Sequence, residues 1–239
     1  MHDVVLDHET HTYTNQYTQQ KYMSVTTLIG KYKKPFDKMY WSKHIANRDG
    51  REQDDVLKEW ETITKSAQSR GTNIHSIMEN YLKNKYIEEG YDEIINSFDK
   101  KCKTIITQKS NILCESTVYS HDYRIAGTAD VIVDNGEYFH ILDFKTNKKF
   151  NFESKYKDYF YEPIDYLQQC EFNTYNIQLS IYAYLYEQLT GKKCSGLRIF
   201  YLREFEKKFW QEIPAAYMKH TVKELLHDYA KKEFNYETQ

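Results

Sequence analysis

Residues 111–146 of this 239-residue chain read NILCESTVYSHDYRIAGTADVIVDNGEYFHILDFKT. Three runs rich in β-branched and aromatic residues are separated by turn signals, His121-Asp122 and Asn135-Gly136. Runs joined by such short connections pair with their neighbours in the chain. The stretch therefore predicts an antiparallel meander of three strands at the centre of the fold.

The Asn-Gly pair predicts a two-residue type I′ turn, which sets the register of the second hairpin. In that register Asp130 lies opposite Ile141. Asp143 then lies opposite Thr128. Because alternate residues of a strand face the same side, Asp143 shares a face with Asp130, and the two become diagonal neighbours about 7–8 Å apart at Cα. Lys145 points to the same face.

Two carboxylates and an ammonium on one face of an apolar hairpin carry a desolvation cost that a divalent cation can offset. Mg²⁺ prefers carboxylate oxygens and leaves positions open for substrate phosphate. The alternative is a structural Asp–Lys pair at a sheet edge, which is common for an isolated D-x-K. The G-T-A-D segment at hairpin distance favours the metal site.

The segments around the meander are mainly helical. The first 22 residues alternate as a hairpin, and Ser24 is a predicted N-cap. Helices are predicted over residues 37–47, 54–69, 72–83, 92–108, 174–189 and 217–234, with breaks at Gly50, Gly71 and Gly90, and a further strand pair is predicted near 197–203 and 209–213. The order predicts an α/β (α+β) fold with a central mixed sheet flanked by helices. We expect one domain over 1–239, with the N-terminal hairpin and helices in 1–110 and the catalytic sheet and C-terminal helices in 111–239.

Two predicted helices carry polar pairs at i and i+4, which share one face. His75 can ligate a metal that Glu79 orients, or can be a partly buried helix histidine. Gln178 and Tyr182 can offer hydrogen bonds to a phosphate or to water, or can belong to an ordinary amphipathic helix.

Taken in order, G-x-x-x-H-x-x-x-E at 71–79, Glu115, G-T-A-D, D-F-K-T and Q-x-x-x-Y resemble the RecB-like branch of the PD-(D/E)xK nuclease superfamily. That branch includes small phage exonucleases and the mitochondrial genome maintenance exonuclease family. The resemblance covers about residues 70–190, and five motifs in order are far more specific than any one. It implies a restriction-endonuclease-like core.

The resemblance also implies roles for individual residues. Lys145 would position or deprotonate the attacking water, and Gln178 and Tyr182 would hold the scissile strand or the lysine. One or two Mg²⁺ (or Mn²⁺) ions would be held by His75, Asp130, Asp143 and the backbone carbonyl of Phe144, with Glu115 as an additional acid for a second ion. The expected substrate-binding residues are Glu79, Thr146, Lys148, Lys149, Gln178 and Tyr182.

The expected activity is that of a metal-dependent DNA exonuclease acting from strand ends, single-stranded ends favoured, in replication, recombination or repair. A structure-specific or restriction-type endonuclease on the same core is one alternative. The other is a catalytically inactive DNA-end-binding protein, which the presence of Asp130, Asp143 and Lys145 disfavours.

Composition excludes several classes. With 33 basic and 35 acidic residues the net charge is -2, so a polyanion site has to be a local patch. No G-x-x-x-x-G-K-[ST] is present, so we expect no ATP, and a helicase or recombinase would be a separate partner. The Fe–S cluster of some members of the resembled branch needs several cysteines clustered after the motifs, which Cys170 and Cys194 alone cannot supply, so we expect no cluster. The four cysteines contain no C-x-x-C pair, and we expect reduced thiols in the cytoplasm. No apolar run is long enough for a membrane span, and the opening residues lack the pattern of a signal peptide.

The segment after the meander is basic and aromatic. Five lysines and one acid lie between residues 145 and 157, interleaved with aromatic side chains that continue to residue 161. Phosphate contacts and base stacking are what a single strand needs from a groove. The alternative is a solvated loop with incidental aromatic residues.

Overall fold

The computed structural model describes residues 3–202 and 209–234. The strands are β1 (Val4–Asp7), β2 (Thr12–Asn15), β3 (Lys21–Ser24), β4 (Asn111–Ser120), β5 (Ile125–Asp134), β6 (Tyr138–Lys145), β7 (Lys193–Tyr201) and β8 (Gln211–Ala215). The helices are α1 (Val25–Lys31), α2 (Lys38–Asp49), α3 (Gln53–Asn84), α4 (Asp92–Cys102), α5 (Glu171–Thr190) and α6 (Lys219–Phe234).

The strands form one mixed sheet of eight, in the order β1-β2-β3-β5-β6-β7-β8, with β4 also paired to β5. The meander β4-β5-β6 is antiparallel, whereas β3-β5 and β6-β7 are parallel. The predicted fold class, a mixed sheet flanked by helices and containing an antiparallel meander, is therefore confirmed.

Helices cover both faces of the sheet. A first core cluster joins the sheet to α1, α5 and α6, through residues such as Ile132, Ile141 and Leu185. A second core cluster joins the opposite face to α3 and α4, through residues such as Met78, Phe98 and Leu142. The fold therefore has three layers, helices, sheet and helices. Because helices cover both faces of the sheet, side chains can meet a ligand at the ends of the strands.

The predicted register of the second hairpin is wrong by two residues. Val131 pairs with Leu142 and Asp134 pairs with Phe139. Of the two central residues only Gly136 has a positive φ, +94°, whereas a type I′ turn needs two. The Asp134 carboxylate accepts a hydrogen bond from the Gly136 N–H at 3.0 Å, which organises a wider turn. A shift of two preserves which face each side chain occupies.

The helix boundaries also differ in places. Gly71 does not break the chain, and one continuous helix α3 replaces the two that were predicted. A helical glycine costs only about 1 kcal/mol, which packing of Ile74 and Met78 against the sheet outweighs. Helix α4 ends at Cys102, six residues before the predicted end.

The N-terminal predictions agree more closely with the structure. The Ser24 side chain accepts a hydrogen bond from Thr27 N, so the predicted N-cap is confirmed. The predicted hairpin is present as β1-β2 and gains β3 as a third strand. Residues 1, 2 and 203, which the predicted strands included, lie outside the described residues. Among the described helices, none combines the length and apolar character needed to cross a membrane.

Candidate active site

Asp130 and Asp143 meet at the end of the β5-β6 ladder. The last ladder pair is Val131 with Leu142, and each aspartate lies one residue beyond it. Asp130 Oδ2 accepts a hydrogen bond from the N–H of Phe144 at 2.7 Å. Beyond the last ladder pair, a side-chain carboxylate of β5 therefore takes the place of a backbone carbonyl as the acceptor for β6. The two aspartates are therefore closer to direct neighbours than to the predicted diagonal pair.

Glu115 lies beside Asp130 in a strained backbone conformation. The two residues fall between the ladder pairs Cys114 with Val131 and Ser116 with Ala129. Glu115 has φ +48°, a left-handed value that costs a non-glycine residue of the order of 1–2 kcal/mol. The alternation of β5 also reverses here, since Ala129 and Ile132 both pack in the first core cluster although they are three positions apart, an odd spacing that regular alternation would place on opposite faces. This local distortion brings Glu115 and Asp130 to the same edge.

His75 reaches the same edge from α3. Its Nε2 lies 2.9 Å from the carbonyl oxygen of Phe144, and its Nδ1 lies 3.5 Å from Asp130 Oδ2. One donor atom each from His75, Glu115 and Asp130 lies within 4.8 Å of the others. Both ring nitrogens of His75 therefore face groups of the sheet. Glu79, which was expected to orient His75, pairs with Lys83 at 2.5 Å.

Asp143 and Lys145 form a buried ion pair. Lys145 Nζ lies 2.5 Å from Asp143 Oδ2, and Asp143 is 1% exposed. Burial raises the pKa of Asp143, and the negative charge of Asp130 adds to this, while Lys145 opposes it. Burial alone would lower the pKa of Lys145, but Asp143 and Asp130 outweigh it and hold the pKa above its usual value. Lys145 therefore remains an ammonium at neutral pH.

Glu115 is less buried than Asp143 but is also hard to ionise. Partial burial of its carboxylate, reinforced by the charge of Asp130, raises the pKa of Glu115 to about 7. Three carboxylates thus share one edge of the sheet with the ammonium of Lys145. The arrangement is costly without a further positive charge.

The donor atoms fit a divalent cation. An octahedral Mg²⁺ with bonds of about 2.1 Å places adjacent ligand atoms about 3 Å apart. One donor atom each from His75, Glu115 and Asp130 lies within 4.8 Å of the others, so small side-chain movements bring all three onto one ion, whereas the 2.9 Å between His75 Nε2 and the Phe144 oxygen is the length of a hydrogen bond. Carboxylate and carbonyl oxygens suit Mg²⁺, and an imidazole in the set also suits Mn²⁺.

A comparison with protein families decides what kind of protein carries this arrangement. The model of the PD-(D/E)XK nuclease superfamily matches residues 98–237, more than half of the chain. The chain belongs to the PD-(D/E)XK nuclease superfamily. The match confirms the resemblance found in the sequence motifs. His75 lies outside the residues that the family model matches, because the match begins at residue 98.

Two solved structures are similar to this nuclease superfamily member over most of its length. One, SSO0001, is 14% identical with a TM-score of 0.40, over 91% of this chain and 80% of the other. The other is described as a candidate exonuclease from Eubacterium rectale and is 15% identical with a TM-score of 0.41, over 94% of this chain and 82% of the other. No curated protein sequence matches the chain.

In this member of the superfamily, Gln178 and Tyr182 lie together beneath the sheet. Gln178 Nε2 donates to Tyr182 Oη at 2.8 Å, and Tyr182 is 4% exposed within the first core cluster. The aromatic ring that faces the lysine is that of Tyr175, whose centroid lies 4.7 Å from Lys145 Nζ. Tyr175 was not predicted, although it precedes Gln178 by three residues and Tyr182 by seven, which is one helix face.

The residues after β6 divide into buried and exposed groups. Thr146 is 9% exposed, and its carbonyl accepts a hydrogen bond at 2.7 Å from Arg70, a second residue that sequence reasoning missed. Lys148 and Lys149 are exposed and line a groove of about 370 Å³. They are therefore the better placed of these residues to meet phosphate.

The basic and aromatic segment is only partly available to a ligand. Phe160 is 2% exposed and belongs to the first core cluster, and Phe150 is half-buried against it. The other aromatic side chains are largely exposed, namely Phe152, Tyr156, Tyr159 and Tyr161. Phe150 and Phe160 therefore anchor this segment to the core, and the exposed aromatic side chains are the ones that can meet a single strand.

Proposed function

We propose that this chain is a divalent-metal-dependent deoxyribonuclease that removes nucleotides from DNA ends, with single-stranded ends favoured. The observation that supports it is the convergence of His75, Asp130 and the Phe144 carbonyl beside the Asp143–Lys145 ion pair. Phosphodiester hydrolysis needs a nucleophile at neutral pH and neutralisation of developing charge. The choice of an exonuclease rests on the order of the five sequence motifs.

The metal ligands in this proposal are His75, Asp130, Asp143 and the carbonyl oxygen of Phe144. Glu115 would hold a second ion or its waters. A bound Mg²⁺ or Mn²⁺ would supply Lewis-acid stabilisation of the phosphate and a nucleophile at neutral pH. The protein contributes the placement of these donors by a strand end, a strained strand residue and a helix.

Lys145 has a more specific role than sequence reasoning assigned to it. Its Nζ lies 2.5 Å from Asp143 Oδ2, and in the metal-free protein Asp143 and Asp130 hold its pKa above the usual value. We assign it to hydrogen bonding with the attacking water and to neutralising charge on the phosphate. The ring of Tyr175 makes a cation–π contact with the Lys145 ammonium. Gln178 holds the Tyr182 hydroxyl, and the Tyr182 ring packs against Gly127 of β5.

We further propose that residues 1–239 act as one nuclease domain, because His75 reaches the acids from a helix that lies before the family match. End-trimming activity belongs in DNA replication, recombination or repair. Strand separation or strand exchange would come from a separate helicase or recombinase, since the chain has no P-loop.

The test compares three DNA substrates: an end-labelled linear single strand, a circular single strand and a linear duplex. Each is incubated with Mg²⁺, Mn²⁺ or EDTA. Loss of the linear single strand alone, prevented by EDTA, supports the proposal, and the label that is released first gives the polarity. Cutting of the circle indicates an endonuclease. Binding of ends without cleavage in either metal indicates an inactive end-binding protein.

A further inference from the structure

A groove of about 590 Å³ lies outside the ligand cluster. It is formed by the connection between α1 and α2, by α2 and α3, and by residues 151–158 with the start of α5. Its lining residues include Phe36, Trp41, Trp60, Lys155, Tyr156 and Glu171. None of these residues takes part in the metal chemistry proposed above.

The groove presents aromatic rings to solvent. The rings of Trp41 and Tyr156 are 5.8 Å apart at an interplanar angle of 27°, and those of Phe36 and Trp60 are also 5.8 Å apart. Phe36 is 66% exposed and Tyr156 is 61% exposed. Two of the three tryptophans of the chain line this groove, whereas Trp210 is buried in the second core cluster. Exposed rings in such a cluster are characteristic of a binding surface.

The groove adjoins a smaller groove that reaches Tyr175, the aromatic neighbour of Lys145. Residues 169–171 line both this groove and a smaller one of about 290 Å³. The smaller groove includes Tyr175, whose ring lies 4.7 Å from Lys145 Nζ. A chain leaving Lys145 can therefore follow the protein surface past Tyr175 into the aromatic groove.

The charge of the groove shows which part of a nucleic acid it suits. Its lining holds two lysines against three acids, and one lysine, Lys34, already pairs with Asp158 at 2.9 Å. A surface without net positive charge is a poor phosphate site, whereas aromatic faces stack on any base. Exposed Lys148 and Lys149 lie in the neighbouring groove, which shares Asn151 with this one, and can contact the phosphates.

We infer that this aromatic groove binds the unstacked bases of a DNA single strand whose scissile phosphate lies at Lys145. The inference rests on the proposed nuclease function and adds the element that selects single strands. Bases held in a duplex are stacked and paired, so their faces are not free to stack on the exposed rings of the groove. The groove therefore gives single-strand preference without sequence preference.

The first test measures binding without cleavage. Wild-type protein in EDTA is titrated with an oligothymidylate of about 12 nucleotides and with a blunt duplex of similar length, following tryptophan fluorescence. We expect saturable quenching by the single strand and little by the duplex. Combined Trp41→Phe and Trp60→Phe substitutions should remove the quenching, since the remaining Trp210 is buried. Quenching that survives both substitutions overturns the inference.

The second test uses truncations with a matched control. Tyr156→Ala removes a largely exposed ring and leaves the core intact, and Trp41→Ala removes its neighbour. Each should weaken single-strand affinity about tenfold, with little change in its salt dependence. Tyr138→Ala, which removes a 49% exposed tyrosine at the other end of β6, should change affinity less than twofold, a ratio set by about 0.4 kcal/mol. Equal losses in all three variants contradict the inference.

Hydrolysis of a small phosphodiester, bis(4-nitrophenyl) phosphate, separates this inference from the proposed function. Its size confines it to the catalytic edge. Tyr156→Ala should hydrolyse it as wild type does while losing activity on long single strands. A variant that retains full activity on long strands overturns the groove assignment alone. A wild-type protein that hydrolyses neither substrate overturns the proposed function, and with it the inference.

Discussion

The ring of Tyr182 on α5 lies directly over the backbone of Gly127 on β5. A β-carbon at position 127 would lie 2.4 Å from Tyr182 Cε1 and 3.1 Å from Val25 Cγ2. The glycine of the G-T-A-D motif is therefore required by packing, because it lets α5 approach the strand that carries Asp130. Gln178 fixes the tyrosine through its hydroxyl.

Gly127→Ala should lower the free energy of unfolding by about 2 kcal/mol, since a buried ring and its hydrogen bond would have to move. Urea denaturation measures this change. The control is Gly30→Ala, in helix α1, where an added β-carbon meets nothing within 4 Å. It should be neutral or stabilising by up to about 1 kcal/mol. Equal stability of the two variants would show that the Tyr182 ring does not constrain position 127.

Asp143→Asn should reduce kcat by more than about 100-fold while the protein remains folded. Loss of a residue that only orients a metal ligand costs about 10–100-fold, and loss of a ligand should cost more. The measurement is release of nucleotides from labelled single strands in Mg²⁺, with circular dichroism to check folding. Asp122→Asn, in the exposed turn before β5, is the control and should retain activity. Substantial activity in Asp143→Asn would remove this residue from the site.

Mg²⁺ or Mn²⁺ should stabilise the wild-type protein against heat. A ligand present at about 100 times its Kd adds about 2.7 kcal/mol, which corresponds to a rise in Tm of about 5–10 °C for a chain of this size. Asp130→Asn should abolish most of the rise, because Asp130 lies nearest to His75 and to the Phe144 N–H. An equal rise in both proteins would place the ion elsewhere.

The stability of the metal-free protein should depend on the ionisation of Glu115. Burial raises the pKa of Glu115 in the folded protein to about 7, above the usual value of 4.5 that it has in the unfolded chain. The folded state therefore binds the proton more tightly, so its contribution to stability is present below pH 4.5 and is lost as pH rises through 7. In EDTA, wild-type Tm should fall relative to Glu115→Gln between pH 5 and about pH 8. A constant difference over that range would show that the carboxylate is well solvated.

The aromatic ring of Tyr175 should help to hold Lys145 in its catalytic position. Tyr175→Leu removes a cation–π contact worth about 1 kcal/mol and should lower kcat by about fivefold. Tyr175→Phe keeps the ring and should stay within about twofold of wild type. Rates at saturating single-stranded substrate test both. A larger loss in the phenylalanine variant would assign the effect to the hydroxyl.

Local signals predicted much of the fold. The meander, the Ser24 cap and the end of α2 at Gly50 are all set by residues within a few positions of each other. The continuity of α3 through Gly71 was missed because the cost of one helical glycine is small against packing that the sequence does not display. The hairpin register was missed because the Asp134 carboxylate stabilises a wider turn, with help from Tyr186 on α5.

The sequence by itself predicted the residues to which we assign the proposed chemistry. His75, Asp130, Asp143 and Lys145 stand in motifs whose order resembles that of the superfamily. Strand periodicity separately predicted that Asp130, Asp143 and Lys145 share one face of the hairpin. Only the tertiary structure decided that Asp130 binds the Phe144 N–H, that Tyr175 rather than Tyr182 faces the lysine, and that an aromatic groove adjoins the site. These relationships join segments far apart in the chain, and the packing of helices on both faces of the sheet sets their distances.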